Sequence, residues 1–386
     1  MNMIAQDTIQ TEQKTKVSPL TFDNNDLPEP TPEMLESLQK EFDALLEEVR
    51  ADIGERDAKY IRKIVRTQRI FEISGRGLIH FSFTPIPFAL GVLSLGVAKI
   101  IENMEIGHNV MHGQYDWMND PKLHSTSYEW DTACDADSWR KTHNYEHHTY
   151  TNILGKDRDY GYGILRMSED ESWHPLRRFQ FAYYVLLSVF FQWGVALHEM
   201  EFEKVVRKEV TWKSRIPFYK TFAKKGFRQI FKDYIFFPLL AGPFFLKVLL
   251  GNMLANLIRN LWASTVIFCG HFTEGSKTFP VEVCENETRG HWYYRQLLGS
   301  GNFTGGKWLH ILSGHLSYQI EHHLFPDIPA HRYAEMSPRV QEICEKHGLP
   351  YNTGTFWSQY KTVLKRIIRF SRKPKDSNVE GQLVAA

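Results

Sequence analysis

Eight histidines of this chain lie in three close groups, and their spacing suits metal binding better than the packing of a core. The groups are His108 and His112; His143, His147 and His148; and His315, His322 and His323. Residues four positions apart lie on the same face of a helix, so their imidazoles reach a common point. Imidazole is the commonest metal ligand among side chains, and it suits iron, copper and zinc. The sequence therefore predicts a histidine-ligated metal centre.

The second and third groups both contain two adjacent histidines, His147-His148 and His322-His323. Adjacent residues of an α-helix point about 100° apart, so a single metal rarely takes both. Two such pairs favour a site with two metals side by side. One zinc ion needs only three or four ligands, and carboxylate-rich di-iron bundles use glutamates in a different pattern.

Three positions extend the candidate ligand set. His271 lies at the exit of an apolar run and is predicted to be a ligand, with an interfacial anchor as the alternative. Gln319 lies three residues before His322, where its amide is either a weak ligand or a hydrogen-bond partner of a ligand water. His315 lies four residues before Gln319 on the same helical face, and this position fits a metal ligand and a structural residue equally well.

Imidazole ligands need a hydrogen-bond partner on their second ring nitrogen. Five acids are near enough in sequence to supply some of these partners: Glu105, Glu146, Asp157, Asp159 and Glu321. The other histidines lack the paired spacing and are interpreted as structural or surface residues: His80, His124, His174, His198, His291, His310, His331 and His347.

Composition excludes several other classes of protein. The net charge of the 386 residues is +1, so no overall field favours a nucleic acid partner. The four cysteines form no CxxC pair, which argues against a zinc ribbon, an iron–sulfur cluster or a disulfide framework and fits a reducing compartment. The sequence has no glycine-rich dinucleotide fingerprint, P-loop or signal-peptide pattern.

Two apolar runs in the second half of the chain are long enough to cross a bilayer. They cover residues 234–250 and 253–270, and Gly251-Asn252 between them is a turn signal. A second hairpin is predicted earlier, with spans at about 70–88 and 89–106. The alternative for this region is one span over about residues 81–101.

Basic residues are concentrated in 52–69 and 201–232, which the positive-inside tendency places in the cytoplasm. Two hairpins put both segments and all histidine groups on that side, whereas a single first span would separate them. Residues 181–197 are apolar as well. The same argument predicts that they lie in the membrane plane or re-enter it, with a fifth span as the alternative.

These elements predict an all-α integral membrane protein with four transmembrane helices in two hairpins and a helical cytoplasmic cap that holds the metals. Residues 1–30 are expected to be disordered, and 31–69 to form a cytoplasmic amphipathic region that starts with Thr31 as N-cap. Residues 70–365 form the membrane domain, and 366–386 a basic, polar tail.

The histidine groups resemble the three histidine boxes of the integral-membrane fatty acid desaturases. That family has the patterns H-x(3–4)-H, H-x(2–3)-HH and [HQ]-x-x-HH, which match residues 108–112, 143–148 and 319–323. The stretches GHNVMHGQYDWMND, HNYEHHTYTN, FCGHF and YQIEHHLFPDIPAHRY are especially similar to bacterial acyl-CoA desaturases of the stearoyl-CoA 9-desaturase type. The resemblance covers about residues 65–360.

The resemblance implies an O2-dependent enzyme that introduces a cis double bond into a fatty acyl chain, carried by CoA or by a lipid, at a di-iron centre of two Fe ions held by the histidines. It also implies an external electron donor, a ferredoxin or flavin reductase that uses NADPH. The expected location is the bacterial inner membrane among its lipids, with the site on the cytoplasmic side. The alternatives are a membrane di-iron hydroxylase of fatty acids or alkanes and, from another class, a metal-binding membrane transporter.

Two positions depart from the animal acyl-CoA branch of the family. Ile267 replaces an asparagine that contributes to the metal site there, and Gln319 replaces a ligating histidine. The coordination of the second iron is therefore open at this point, and His315 is a candidate to compensate.

Overall fold

The computed structural model describes residue 27, residues 29–206 and residues 208–374, whose regular structure is mostly helical. The α-helices are α1 (Pro32–Ala51), α2 (Glu55–Phe81), α3 (Pro85–Ile100), α4 (Asn109–Met111), α5 (Ala136–Trp139), α6 (His148–Tyr150), α7 (Gln180–Val189), α8 (Phe191–His198), α9 (Phe202–Val206), α10 (Trp212–Ile230), α11 (Phe237–Leu240), α12 (Phe245–His271), α13 (Arg289–Gly299), α14 (Lys307–Leu312), α15 (Gln319–Leu324), α16 (Tyr333–Lys346) and α17 (Phe356–Ser371).

Shorter elements connect these helices. The π-helical segments are Ile101–His108, Arg140–His147 and Phe231–Phe236. The 3-10 turns are Asp116–Met118, Tyr160–Gly163, Pro175–Phe179, Gly242–Phe244, Val281–Cys284, Leu316–Tyr318 and Ala330–Arg332. Two short strands, β1 (Asn302–Thr304) and β2 (Thr353–Thr355), pair in parallel and tie the segment before α14 to the start of α17.

The N-terminal amphipathic helix has the predicted start. The Thr31 hydroxyl accepts a hydrogen bond from the Met34 amide at 3.3 Å, and Pro32 occupies the first helical position, where its missing N–H costs nothing. The apolar face of α1, which includes Leu38 and Phe42, packs with α13, α15 and α16 in one buried cluster. α1 therefore braces the segment that carries the third histidine group.

α2 and α3 form a helical hairpin where the first transmembrane hairpin was predicted, but its turn lies earlier than the sequence suggested. α2 ends at Phe81 and α3 begins at Pro85, so the break is at residues 82–84 and not at 88–89. Proline is favoured in the first turn of a helix, which explains why α3 starts at Pro85. A Cβ at Gly75 would lie 2.6 Å from the Leu95 amide nitrogen, so this glycine allows α2 and α3 to pack backbone to backbone.

The predicted turn at Gly251-Asn252 is wrong. α12 runs without a break from Phe245 to His271, and the turn of this hairpin is at residues 241–244, where Gly242 has a φ of 54°. Gly251 allows α12 to pack closely against α2, because a Cβ there would lie 2.8 Å from the Ile79 side chain of α2. The Asn252 amide donates to the Asp233 carbonyl at 2.6 Å. Both residues join helices together and do not reverse the chain.

We expect Gly251→Leu to destabilise the protein by about 1–3 kcal/mol, because its side chain must displace Ile79 between two packed helices. The thermal unfolding midpoint of the detergent-solubilised protein measures this. Gly77→Leu is the matched control, since no atom lies within 4 Å of a Cβ at that position of α2. Equal midpoints for the two variants would contradict the close approach of α2 and α12.

By length and hydropathy, one continuous helix in the described ranges can cross a membrane, namely residues Pro85–Met111. Pro175–Val189 and Phe191–His198 pass the same test only as a pair, and they are bent by 102°. A bend of this size fits either a broken span or a re-entrant segment, so both predicted alternatives for residues 181–197 stay open. The other predicted spans fall on helices with buried polar residues, such as Asn256 and Arg259 of α12.

Two predicted domain limits fall inside helices. α2 crosses the limit at residues 69–70, and α17 continues through residue 366 to Ser371, so the tail cannot begin at 366. In α17 the buried residues Val363, Ile367 and Phe370 repeat at helical spacing, which explains why the helix continues. The predicted disordered segment 1–30, except for residues 27, 29 and 30, and the tail after residue 374 lie outside the described residues.

Candidate metal centre

Five chain segments bring the predicted ligands together. The helix that begins with α3 ends at the first histidine pair, and the second group occupies a π-helical segment and α6. His271 is the last residue of α12, and α15 carries His322 and His323 of the third group. The first two groups both include π-helical turns, Ile101–His108 and Arg140–His147. Such turns are wider than α-helical turns and are frequent at functional sites.

Seven of the histidines form two clusters. One ring nitrogen from each of His108, His112, His143 and His322 lies within 4.8 Å of the others in the first cluster. The second cluster joins His147, His271 and His323 by the same measure. Each cluster therefore combines residues that are far apart in the sequence, which the fold brings to a common point.

His148 lies between the two clusters. Its ring centroid is 4.6 Å from that of His112, 4.8 Å from that of His322 and 4.4 Å from that of His323, on which it stacks. Both of its ring nitrogens are buried and have no hydrogen-bond partner in the described structure. The eighth imidazole thus contacts members of both clusters.

Many inward ring nitrogens have no partner within the described part of the chain. These buried atoms are Nε2 of His112, His143, His147, His322 and His323, Nδ1 of His271 and both nitrogens of His148. Buried polar atoms are normally hydrogen-bonded, because an unsatisfied one costs about 1–3 kcal/mol. So many in one place fit a metal centre, in which each lone pair is donated to a cation.

Carboxylates hold the outer nitrogens of the second histidine group. The His147 Nδ1 lies 3.0 Å from both oxygens of Asp157, and the His143 Nδ1 lies 3.0 Å from Asp159. These contacts fix the proton on Nδ1 and direct the Nε2 lone pair inward. The sequence predicted partners of this kind, and these two acids serve as such.

The other three predicted acids contact different residues. Glu105 accepts from Tyr60, Glu146 lies 3.6 Å from Lys141, and Glu321 accepts from Asn302 and Tyr351. Glu105 also lies 3.0 Å from the Nδ1 of the candidate ligand His315, so a short distance in sequence was misleading only for Glu146 and Glu321.

Neutral side chains replace acids around the third histidine group. The His323 Nδ1 lies 3.0 Å from the side-chain Oε1 of Gln296, and the His322 Nδ1 lies 3.4 Å from the Tyr333 hydroxyl. Sequence reasoning missed both partners, because no spacing rule links them to the histidines.

The environment of the first two groups contains two more residues that sequence reasoning missed. His198, interpreted from the sequence as structural or surface, lies 3.5 Å from Asp159 and so contacts a residue that holds the site. Trp139 stacks on His143 with ring centroids 4.4 Å apart, and it borders His108 and His112 at 5.5 Å. Its indole therefore places an apolar ring against three imidazoles of the first cluster.

Electrostatics favour the neutral form of most of these imidazoles. Burial lowers the pKa of His112, His148, His322 and His323 well below the usual imidazole value, and neighbouring histidines lower it further. Burial also lowers the pKa of His147, but Asp157 more than offsets this effect and the net pKa is raised. A neutral imidazole has the free lone pair that a metal needs.

Gln319 lies against the second cluster. Its amide nitrogen is 3.0 Å from Nε2 of His271, and its carbonyl oxygen is buried without a partner in the described structure. A Cβ at residue 270 would lie 2.8 Å from that oxygen, so Gly270 makes room for the amide. The contact with His271 agrees with either predicted role of Gln319.

His315 belongs to neither cluster. Its Nδ1 lies 3.0 Å from Glu105, which also accepts a hydrogen bond from Tyr60 at 2.6 Å. These contacts connect the loop before α15 to α2 and to the first π-helical segment. The structure thus gives His315 a role in joining elements, and Gln319, not His315, contacts a histidine of the second cluster.

A cavity of about 990 Å³, counting its open mouth, reaches the histidines. His108, His143, His147 and His271 contribute to its wall. Much of the remaining wall is apolar and includes Met104, Phe191, Ala263, Ile267 and Leu316. An apolar cavity that ends at a metal site suits a hydrocarbon chain as the ligand.

Comparison with known proteins agrees with this arrangement. The fatty acid desaturase family model matches residues 83–355. The chain is 46% identical over 345 residues to the NADPH-dependent stearoyl-CoA 9-desaturase of Mycobacterium tuberculosis, covering 88% of this chain and 81% of the relative. It is 26% identical over 281 residues to the sn-1 linoleoyl-lipid 6-desaturase of Synechocystis sp., covering 70% and 77%.

The chain is also similar to a human desaturase, over a smaller share of both sequences. The chain is 27% identical over 255 residues to fatty acid desaturase 3 of Homo sapiens, covering 64% of this chain and 52% of the relative. The family match includes all three histidine groups and His271. The chain therefore belongs to the fatty acid desaturase family, whose members are membrane-associated oxidoreductases.

Proposed function

We propose that this chain removes two hydrogens from adjacent methylenes of a fatty acyl chain carried by coenzyme A, and so forms a cis double bond. The observation that carries the proposal is the set of buried, unpartnered imidazole nitrogens beside an apolar cavity. The name of the mycobacterial relative favours coenzyme A over a lipid as the carrier, and an NADPH-fed external electron donor.

The two clusters suit two irons. Imidazole is a good ligand for iron, and four nitrogens in one cluster with three in the other leave positions for further ligands at each metal. Iron held there would supply the one-electron redox chemistry by which O2 is reduced to two waters with two hydrogens from the acyl chain, two electrons from the external donor and two protons. Gln319 and His148 complete the surroundings of the second cluster.

The residues of the chain orient and isolate this chemistry. Asp157 and Asp159 hold protons on Nδ1 of His147 and His143, which keeps the opposite nitrogens directed inward. The apolar wall binds the hydrocarbon by its area alone, at about 0.8 kcal/mol for each buried methylene. Trp139 lines the first cluster on one side with an apolar ring.

We further infer four transmembrane helices in two hairpins, with the metal centre at the cytoplasmic face of a bacterial inner membrane. The apolar helix Pro85–Met111 ends at the first histidine pair, and α12 ends at His271, so both lead to the same side. The basic segments 52–69 and 201–232 favour the cytoplasm for that side. Cysteines introduced at residues 220–224 should react with a membrane-impermeant reagent only from the cytoplasmic face. Reaction only from the outer face would contradict this topology.

The activity test uses the full chain in membranes or detergent with stearoyl-CoA, O2, NADPH and a matching reductase. We expect a product that is lighter by two hydrogens, and mass spectrometry with double-bond localisation gives its position. A product heavier by one oxygen identifies a hydroxylase instead. Metal analysis should give about two irons per chain, in line with the two clusters. A zinc-loaded protein without product would overturn the proposal.

A further inference from the structure

The cavity has two chemically different ends. One side of it follows α12 from Arg259 through Ala263 and Ile267 to His271, at intervals of four residues. Twelve residues of α-helix rise about 18 Å, so the backbone of Arg259 lies about that far from His271 along the axis of α12. The middle of this stripe is apolar, whereas Arg259 and the neighbouring Asn260 are polar. A hydrocarbon tunnel does not need a polar end, so this end calls for a physical explanation.

Arg259 lies at that end with unused hydrogen-bond donors. Its guanidinium donates to the side-chain oxygens of Asn103 at 2.9 Å, Asn256 at 3.3 Å and Asn260 at 3.0 Å. A guanidinium has five N–H groups, so these three bonds leave two donors. The residue is only 2% exposed, and all three of its hydrogen bonds in the described structure go to neutral amides.

Gln192 supplies an unused acceptor at the same end. It lines the cavity from α8, is 7% exposed, and its Oε1 is buried without a partner in the residues described. Its backbone N–H donates to the Asn260 oxygen at 3.4 Å, the same atom that accepts from Arg259. Asn260 also donates to the Val189 carbonyl at 2.8 Å and so holds the bend between α7 and α8 in place.

The chemistry of these two groups selects one kind of ligand. A methyl group satisfies neither, and a carboxylate can accept from the guanidinium but has no proton to donate to the Gln192 oxygen. A hydroxyl satisfies both, because it accepts from a guanidinium N–H and donates to an amide oxygen. Leaving such groups unpaired in a buried site discriminates against ligands without the matching group.

We propose that the end of the cavity at Arg259 and Gln192 is a binding site for a terminal hydroxyl, so that the enzyme accepts acyl chains hydroxylated at the end remote from the thioester. The inference rests on the proposed acyl-CoA desaturation. Water offers the same hydrogen bonds as a terminal hydroxyl, and the experiment separates the two.

The test compares kcat/KM for stearoyl-CoA and for its ω-hydroxyl analogue, in the wild type and in Gln192→Leu. The wild type should accept the two substrates within about threefold. Gln192→Leu should lower the ratio of hydroxylated to plain substrate at least about fivefold, since an unpaired buried hydroxyl costs about five- to 150-fold. Val195→Ala is the matched control on the same helix face, and its ratio should equal that of the wild type.

Two results would overturn the inference. One is a wild type that rejects the ω-hydroxyl analogue by more than tenfold, as a site that holds only water would. The other is an unchanged ratio in Gln192→Leu. Turnover of stearoyl-CoA by each variant shows that it is folded, and Gln192→Met replaces the leucine variant if that one is inactive. Failure of the wild type to desaturate stearoyl-CoA would count against the proposed function and not against this site.

Discussion

His322→Ala should reduce desaturation by more than about 100-fold. His322 is the member of the first cluster that comes from the third histidine group, and its ring lies 4.8 Å from His108 and 4.7 Å from His112. Loss of an outer hydrogen-bond partner alone costs about 10- to 100-fold in metal affinity or activity, and loss of a ligand costs more. Product formation per folded chain measures the effect, and iron content should fall together with it.

The matched control for this variant is His291→Ala. His291 caps α13 through Thr288, is not a member of either cluster, and should leave turnover unchanged. Membrane insertion of both proteins is checked by extraction and size-exclusion chromatography. A His322→Ala protein that retains a tenth or more of the wild-type turnover would show that this imidazole is not part of the reaction centre.

Asp157→Ala should lower activity or iron affinity by about 10- to 100-fold, although the carboxylate touches no metal in the proposed site. Asp157 contacts the His147 Nδ1 with both oxygens at 3.0 Å and also accepts from the Asn152 and Asp159 amides. Without it, the His147 ring loses both its orientation and the partner that fixes its proton. Iron titration of the stripped protein and steady-state turnover separate the two effects.

A double-mutant cycle tests whether Asp157 acts through His147. If Asp157 acts through His147, then Asp157→Ala should cost little more in a His147→Ala background. Asp137→Asn is the control, because that carboxylate is 91% exposed and pairs only with Arg140 in the described structure. Additive losses in the cycle would mean that Asp157 has a separate role, such as support of the loop at Asn152.

The sequence predicted the grouping of the histidines well because spacing along one helix is a local property. His108 with His112 and His143 with His147 are brought together by their own helices, and His271 could be found from the end of an apolar run. Their outer partners could not be found in this way. Gln296 and Tyr333 reach the third group only through tertiary packing, and no periodicity reports such a contact.

The predicted fold contains two errors. Gly251 looked like a turn because glycine often ends helices, yet here it permits close helix packing against Ile79. The π-helical turns were also missed, since a period of 3.6 residues was assumed throughout. For Gly251, the local preference of the residue was overruled by a contact with another helix.

The unpartnered nitrogens of the two clusters have a consequence for the life of the protein in a cell. Without metal, several buried lone pairs have no counterpart inside the fold, and each costs about 1–3 kcal/mol, which is large beside the usual stability of a domain. Two irons bound as proposed would therefore also act as a structural cross-link between segments that are distant in the chain. Growth under iron limitation should then shorten the half-life of the polypeptide as well as abolish its activity. A pulse-chase measurement at low and high iron would show the difference in degradation rate.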